Sequence, residues 1–162
     1  CIIIGNGSSI LNKNLGKYVD SFDNVVRFNR FQVENYKQDL GTKCTHWVVG
    51  YNLATDNMSV NNGYFKGNLN RLQSTQYVKL NLVYKEYDLF FNAKPTTGFM
   101  AIKYFLDKFD KISVAGFDFG KSHHYWGNYS IADIPAPEGK HPWKSEGEYV
   151  SKLAKHNKIE IL

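Results

Sequence analysis

Two histidines stand where a proton-transferring side chain could act. His141 directly precedes Pro142 at the start of a predicted helix, and His124 lies in a long loop after a predicted strand. The positive end of a helix disfavours the imidazolium, so we expect His141 to stay neutral and to accept a proton near pH 7. A general base must do this. Taken singly, each histidine also fits an ordinary solvated side chain.

A glycine-rich loop follows the first apolar run of the chain. The stretch CIIIGNGSS places Gly5, Asn6, Gly7 and Ser8 directly after three isoleucines. Glycine admits unusual dihedral angles and close approach of a ligand, and successive backbone amides can form an anion-binding nest. The dinucleotide fingerprint is incomplete, because Ile10 stands where its third glycine belongs. The loop alone therefore indicates either a strand-ending turn or a seat for a phosphate.

Small polar residues follow a second strand and open a helix. Asn29 comes just after the predicted strand 24–28 and offers a donor and an acceptor, which suits a base or sugar edge. A local turn is its alternative role. Thr96, Thr97 and Gly98 lie in the first turn of the strongest predicted helix, 95–109, where free N–H groups and the helix dipole favour an anion. A threonine that caps the helix would explain the same pattern.

The other polar candidates favour structural roles. Arg27 is expected to pair with Asp20 or Asp23, which lie close in sequence. Asp118 follows a predicted strand and is expected to cap a turn rather than to bind a metal. No carboxylate or cysteine stands at a recognisable ligand spacing from the histidine pair at 123–124, so no metal site is predicted.

These residues need a scaffold that brings them to one edge. Buried apolar runs predict strands at 1–4, 24–28, 45–49, 87–91, 112–115 and 158–162, and apolar periodicity predicts the helix 95–109 and another that begins near Pro142. Residues 51–72 predict a loop, and 77–82 is ambiguous. This alternation indicates an α/β, Rossmann-like fold, with a mainly parallel sheet flanked by helices on both faces, in a single compact domain, 1–162. Ligands of such sheets bind beyond the carboxyl ends of the strands.

Composition excludes several classes of protein. The net charge of +5 comes from scattered lysines rather than from a basic stripe, so no nucleic-acid partner is expected. No apolar run reaches membrane-spanning length, and any peripheral membrane association is expected through parts outside this sequence. Cys1 and Cys44 form no metal motif. Two reduced thiols are the favoured interpretation, and a single disulfide between them is the alternative.

Four stretches, taken in order, resemble the sialyl motifs of the sialyltransferases of glycosyltransferase family 29. Residues 1–30 resemble the large motif of that family, and residues 95–119 resemble its small motif. HYWG at 124–127 is similar to the third motif, and HPWKSE at 141–146 is similar to the very small motif. Bacterial sialyltransferases of another family share the opening loop and a late histidine, and are the nearest alternative.

The resemblance implies a role for each matching residue. Asn6 and Asn29 would contact a cytidine nucleotide, His124 would stabilise the departing phosphate together with Tyr125, and His141 would deprotonate the acceptor hydroxyl. Glu146 would support its helix. The substrate-binding residues implied in this way are Gly5, Asn6, Gly7, Ser8, Asn29, Thr96, Thr97, Gly98, Phe117 and Tyr125.

The reaction implied is an inverting, metal-independent transfer of sialic acid from CMP-sialic acid to a glycan hydroxyl, with no cofactor. Its partners would be a CMP-sugar donor and a glycan acceptor. The alternatives are a transferase that uses another CMP-keto-sugar, a CMP-binding module without transfer activity, and an unrelated parallel-sheet domain.

One departure from the family bears on the cellular location. Secretory-pathway members typically join a cysteine of the large motif to one of the small motif, and here Cys1 stands at the first place but Phe109 at the second. The absence of this second cysteine therefore favours a cytoplasmic or membrane-peripheral protein of a microbe or virus. The Golgi lumen is the alternative, if an upstream anchor has been removed.

Overall fold

The computed structural model describes residues 1–29, 31–49, 65–66, 76–79, 95–127 and 141–162. Within these ranges the strands are β1 (Ile2–Ile4), β2 (Val25–Phe28), β3 (Phe31–Gln32), β4 (His46–Val49), β5 (Phe65–Lys66), β6 (Gln76–Lys79), β7 (Ile112–Ala115) and β8 (Ile159–Ile161). The α-helices are α1 (Gly16–Ser21), α2 (Lys37–Leu40), α3 (Thr97–Leu106) and α4 (Trp143–Lys155). None of the helices in these ranges is long and apolar enough to cross a membrane.

Six of the strands form one parallel sheet in the order β6-β4-β2-β1-β7-β8. Strand β1 is central and pairs with β2 on one side and β7 on the other, with Ile3 opposite both Val26 and Val114. Strands β3 and β5 form a separate parallel pair. The predicted parallel, Rossmann-like sheet is confirmed.

The isoleucines of β1 explain why the sheet is covered on both faces. Alternate residues of a strand point to opposite faces, so Ile3 packs in one apolar cluster while Ile2 and Ile4 pack in the other. All three are buried. Helices α3 and α4 cover the face of Ile3, and α1 covers the opposite face, where Val19 packs. A parallel sheet buried in this way needs continuous apolar strands, and the sequence of β1 supplies one.

Most predicted elements are confirmed within a few residues. Helix α3 ends at Leu106, three residues before the predicted end, and strand β6 begins one residue before the ambiguous stretch 77–82 and ends within it. The predicted strand 87–91 and most of the predicted loop 51–72 lie outside the described residues. Helices α1 and α2 were not predicted, because each is too short for a hydrophobic period to be visible.

The predicted ion pair of Arg27 is wrong. Its buried guanidinium donates from Nε to the carbonyl of Lys43, at 3.0 Å, and from Nη2 to the carbonyl of Leu40, at 2.6 Å. The carboxylate of Asp20 instead accepts from the backbone N–H groups of Thr42 and Lys43. Arg27 therefore anchors the segment after α2 through backbone carbonyls.

Cys1 and Cys44 do not form a disulfide with each other. Cys1 and Phe109 are half-buried and pack against the same apolar cluster, on the face of the sheet that α3 and α4 cover. Phe109 thus contributes apolar packing at the position where the resemblance to the secretory-pathway members would place the second cysteine.

We predict that Gly5→Ala destabilises the protein at the point where the segment after β1 contacts the segment after β7. A Cβ on Gly5 would lie 2.1 Å from the carbonyl oxygen of Gly116, so the chain after β1 and the chain after β7 would have to separate. The free energy of unfolding should fall by about 1–3 kcal/mol, measured by chemical denaturation. Ser9→Ala is the control from the same loop, because that side chain is exposed, and it should change stability by less than about 0.5 kcal/mol. Equal stability of the two variants would contradict the prediction.

Candidate functional site

A cavity of about 460 Å³ lies beyond the carboxyl ends of the central strands. It is walled by the loops that follow β1, β2 and β7 and by the starts of α3 and α4. The sequence-predicted residues that line it are Asn6, Gly7, Asn29, Thr96, Thr97, Gly98, Phe117, His124 and His141. Gly5, Ser8 and Tyr125 are not among the lining residues. The cavity is the candidate site, and we refer to it as the pocket.

The loop after β1 pairs with the loop after β7 through backbone hydrogen bonds. Gly7 N–H donates to the carbonyl of Gly116, at 2.8 Å, and Ser8 N–H donates to the carbonyl of His123, at 3.0 Å. Tyr125 N–H donates in return to the carbonyl of Asn6, at 2.9 Å. Gly7 and His124 form an antiparallel bridge. Two motifs more than 100 residues apart in the chain therefore form one small strand-like ladder, and this ladder sets His124 on the wall of the pocket.

Asp118 caps the turn at the base of this ladder, as the sequence predicts. Its carboxylate accepts hydrogen bonds from Ser9 N–H, at 3.1 Å, and from the hydroxyl of Ser122. Lys121 N–H donates to its backbone carbonyl, at 3.0 Å. A Cβ on Gly7 would lie 2.4 Å from this carboxylate, so the close approach requires glycine there. The carboxylate of Asp118 is thus engaged by the loop itself.

His124 presents a largely desolvated imidazole to the pocket. Burial lowers its pKa, so the ring is neutral at pH 7 and carries one N–H donor and one acceptor. Its Nδ1 is buried and has no hydrogen-bond partner among the described residues. The ring packs against Trp126, with centroids 4.9 Å apart. A neutral histidine at this place can donate one hydrogen bond to an anionic ligand.

Tyr125 lies behind the pocket rather than in its wall. Its hydroxyl donates to the carbonyl of Gln32, at 2.8 Å, and accepts from the N–H of the same residue, at 3.0 Å. Burial raises the pKa of Tyr125 to about 12. Both hydrogen-bonding directions of the hydroxyl are used by β3, so the side chain fastens the third-motif loop to that strand. This geometry favours a positioning role over the phosphate contact that the resemblance implies.

The N-cap residue of helix α3 is hydrogen-bonded to a buried carboxylate from helix α4. Glu146, in the first turn of α4, is 1% exposed. It accepts from the N–H of Thr96, at 2.6 Å, and from the Thr96 hydroxyl, at 2.8 Å. The same hydroxyl accepts from Phe99 N–H, at 3.1 Å, as an N-cap. The Thr96 side chain is therefore committed to structure, and Thr97 is the hydroxyl of this turn that remains for a ligand.

Gly98 lets two aromatic rings close over the start of α3. A Cβ there would lie 2.9 Å from the ring of Phe117 and 3.0 Å from the ring of Phe28. These rings pack against each other with centroids 5.7 Å apart. Gly98 therefore serves close packing, and the two rings form an apolar wall of the pocket.

Asn29 occupies a turn and the wall of the pocket at once. It adopts a positive φ of 51°, which asparagine tolerates better than most residues. Its N–H donates to the carbonyl of Val48, at 2.9 Å, and its carbonyl accepts from Trp47 Nε1, at 2.9 Å. The backbone is thus held on both sides where Asn29 lines the pocket. The turn is confirmed, and contact of the side chain with a base or sugar edge stays a prediction.

His141 stands at the rim where α4 begins. Its ring lies 6.0 Å from that of Trp143, measured between centroids, and both residues line the pocket. Pro142 is the N-cap of α4. The geometry brings His141 and His124 to one cavity, although 16 residues separate them in the chain.

Several pocket residues were not among the predicted site residues. They are Phe28, Gly116, Asp118, Phe119, Gly120, Ser122, Trp126, Trp143 and Glu146. Trp126 and Trp143 follow His124 and His141 by two positions each, so the motif letters themselves held the signal. Phe119 and Gly120 carry no such mark, because their place depends on how the loop after β7 turns.

The fold and the pocket define a Rossmann-like α/β domain with a ligand cavity at the carboxyl edge of its sheet. The family model described as "Glycosyltransferase family 29 (sialyltransferase)" matches residues 1–91 and 76–158. The chain belongs to this family.

Curated relatives agree with this assignment. The chain is 25% identical over 195 residues to CMP-N-acetylneuraminate-beta-galactosamide-alpha-2,3-sialyltransferase 1 of Pan troglodytes, and the match covers 99% of this chain and 57% of the relative. It is 24% identical over 214 residues to CMP-N-acetylneuraminate-beta-1,4-galactoside alpha-2,3-sialyltransferase of Rattus norvegicus, with 100% and 57% covered. The chain thus spans little more than half the length of these relatives.

A solved structure shares the fold. The crystal structure of a mammalian sialyltransferase in complex with Gal-beta-1-3GalNAc-ortho-nitrophenol matches with a TM-score of 0.71 and 22% identity, over 100% of this chain and 68% of that one. At this identity the likeness establishes the fold alone.

We predict that Glu146 makes stability depend on pH. Burial, which outweighs the hydrogen bonds from Thr96, raises the pKa of Glu146 above its ordinary value of 4.5. The folded protein then holds this proton more tightly than the unfolded chain, so the contribution to stability is full below pH 4.5 and is lost as pH rises through the folded pKa. The free energy of unfolding of the unsubstituted protein, relative to that of Glu146→Gln, should therefore fall as pH rises above 4.5.

Denaturant titrations across this pH range measure the difference. Glu148→Gln, an exposed carboxyl on the same helix, controls for the loss of one negative charge from α4. A difference that stays constant with pH would show that folding does not shift the pKa of Glu146, and one that grows as pH rises would show that the fold stabilises the carboxylate; either result would contradict the prediction.

Proposed function

We propose that this chain is the catalytic core of a sialyltransferase, which transfers sialic acid from CMP-sialic acid to a glycan hydroxyl. One observation carries the proposal: the pocket gathers residues from all four motif stretches of a chain that belongs to family 29. Asn6, Thr97, His124 and His141 each come from a different stretch and line the same cavity. Because the chain spans little more than half the length of these relatives, we propose rather than infer from them its activity, its substrates and its partners.

The nucleotide end of the pocket suits a single phosphate without a metal ion. The start of α3 offers N–H groups at the positive end of a ten-residue helix, next to the Thr97 hydroxyl. Asn6 and Asn29 add amide groups that read a base or sugar edge. The rings of Phe28 and Phe117 give an apolar wall for a planar base. We therefore propose that CMP binds here through neutral donors and the helix dipole, with no cofactor.

The two histidines divide the proton and charge chemistry. His141 takes the proton from the acceptor hydroxyl as its oxygen bonds to the anomeric carbon of the sugar. The bond from that carbon to the phosphate oxygen breaks in the same displacement, and CMP leaves with the bonding electrons. His124 donates a hydrogen bond to the departing phosphate. A single displacement of this kind inverts the anomeric configuration.

The relatives favour one of the two locations considered from the sequence. Those cited come from vertebrates, which supports the Golgi-lumen alternative, and nothing in these matches supports a microbial or viral source.

The alternatives for the chemistry are another CMP-keto-sugar as donor and a CMP-binding module without transfer.

We predict that His141→Ala abolishes transfer and preserves the nucleotide site. Removing a general base costs about 10²- to 10⁴-fold in rate, and the residues proposed to hold CMP are unchanged. The measurement is initial-rate transfer from CMP-sialic acid to N-acetyllactosamine, together with the rise in Tm produced by CMP. His156→Ala, an exposed histidine just after α4, is the control and should transfer at the normal rate. A normal rate in His141→Ala would refute the base assignment.

We predict that CMP raises the Tm of the chain in the presence of EDTA. A ligand at 100 times its Kd stabilises the folded state by about 2.7 kcal/mol. His124→Ala should reduce the rise, whereas His123→Ala, its exposed neighbour, should leave it intact. A rise that requires added Mg²⁺ or Mn²⁺ would overturn metal independence, and no rise under either condition would overturn the CMP pocket itself.

A further inference from the structure

A second cavity, of about 890 Å³, adjoins the pocket along helix α4. Phe119 and Trp143 line both cavities, so the two lie side by side. Four lysines complete the second cavity. We name it the lysine groove, defined by Phe119, Lys121, Trp143, Lys144, Lys152 and Lys155.

The charge of the groove comes mainly from one face of α4. Lys144, Lys152 and Lys155 lie at positions that a 3.6-residue period brings to the same side of a helix. Lys121 adds a fourth ammonium from the loop after β7, and Glu148 is the single carboxylate in the lining. The four lysines are exposed, and within the described ranges none of them forms an ion pair with Glu148. The groove therefore presents an excess of positive charge to solvent.

The aromatic end of the groove is held by glycines. A Cβ on Gly120 would lie 2.4 Å from the ring of Trp143, and a Cβ on Gly147 would lie 3.2 Å from the ring of Phe119. Backbone therefore packs directly against each ring and limits its movement. Fixed rings beside flexible ammonium groups can bind the apolar face of a sugar while the ammonium groups meet its charge.

We propose that the lysine groove binds an anionic substituent, a carboxylate or a sulfate, on the acceptor glycan. This inference rests on the proposed function, because it takes His141 as the group that contacts the acceptor hydroxyl. An acceptor that leaves the pocket beside His141 on this side meets Trp143, which also lines the groove. Sugar units next to the reacting one would lie over the two rings, and their negative charge would face the lysines of α4.

The test compares three β-galactosides that differ in charge. The probes are N-acetyllactosamine, the same disaccharide with a sulfate on the glucosamine O6, and lactobionic acid, which carries a carboxylate. The variant is Lys152→Glu/Lys155→Glu, and Lys13→Glu/Lys17→Glu, exposed lysines in and beside α1 on the opposite face of the sheet, matches its change in charge. KM for each acceptor is measured at saturating CMP-sialic acid.

The groove variant should raise KM about tenfold for the charged acceptors, which corresponds to about 1.4 kcal/mol. It should leave KM for N-acetyllactosamine and the CMP-induced rise in Tm unchanged, and the α1 variant should behave as the unsubstituted protein. The relative effect on the sulfated probe and on lactobionic acid tells which anion the groove prefers. An equal change for neutral and charged acceptors, or no change for any, would overturn the proposal.

The lysine groove can also be tested by a binding measurement that does not depend on sialyl transfer. If no acceptor is sialylated, binding of the three probes is followed by quenching of tryptophan fluorescence. Preferential binding of the charged probes that the groove variant loses would support the groove, and equal binding would overturn it. Binding of phosphatidylserine vesicles that the groove variant loses, with glycan binding unchanged, would overturn it in favour of a membrane surface.

Discussion

The close approach of two loops, one after β1 and one after β7, is the constraint on which the pocket depends. Gly5 and Gly116 pass so near each other that neither position has room for a side chain. This closeness lets Gly7 pair with Gly116 and lets Tyr125 N–H reach the carbonyl of Asn6. A histidine placed on such a ladder has its backbone fixed by hydrogen bonds rather than by packing alone. The position of His124 thus depends on the close approach of the backbones of Gly5 and Gly116.

A buried carboxylate fixes the other side of the pocket, where helices α3 and α4 begin. Glu146 joins α4 to the N-terminus of α3 through two hydrogen bonds to Thr96. A buried carboxyl costs free energy unless it is hydrogen-bonded, and here both oxygens have donors. These hydrogen bonds therefore fix the N-terminus of α3 next to the start of α4, where His141 lies. Under the proposed function, this side chain would connect the nucleotide end of the pocket to the residue that contacts the acceptor.

Sequence reasoning could recover the sheet and many of the residues that line the pocket, but not which of their polar groups are used in structural hydrogen bonds. The isoleucines of β1 and the apolar stripe of α3 are strong local signals, so the parallel sheet and its main helix were predicted. Tyr125 and Thr96 were expected to touch substrate, yet their hydroxyls bond to Gln32 and Glu146. Those partners lie 93 and 50 residues away in the chain, and no local pattern reveals which long-range partner a polar group will find.

The two cavities differ in the charge of the residues that line them. Neither lysine nor arginine lines the pocket within the described residues, and both carboxylates that line it, Asp118 and Glu146, are already hydrogen-bonded. A phosphate there would meet helix N–H groups and neutral side chains, which are fixed in place before it binds. Such fixed dipoles cost no reorganisation when negative charge grows on a leaving group. Four exposed lysines line the lysine groove instead, beyond Trp143. Flexible ammonium groups suit an extended and variable partner, because they can follow its anions without altering the geometry at the reacting carbon.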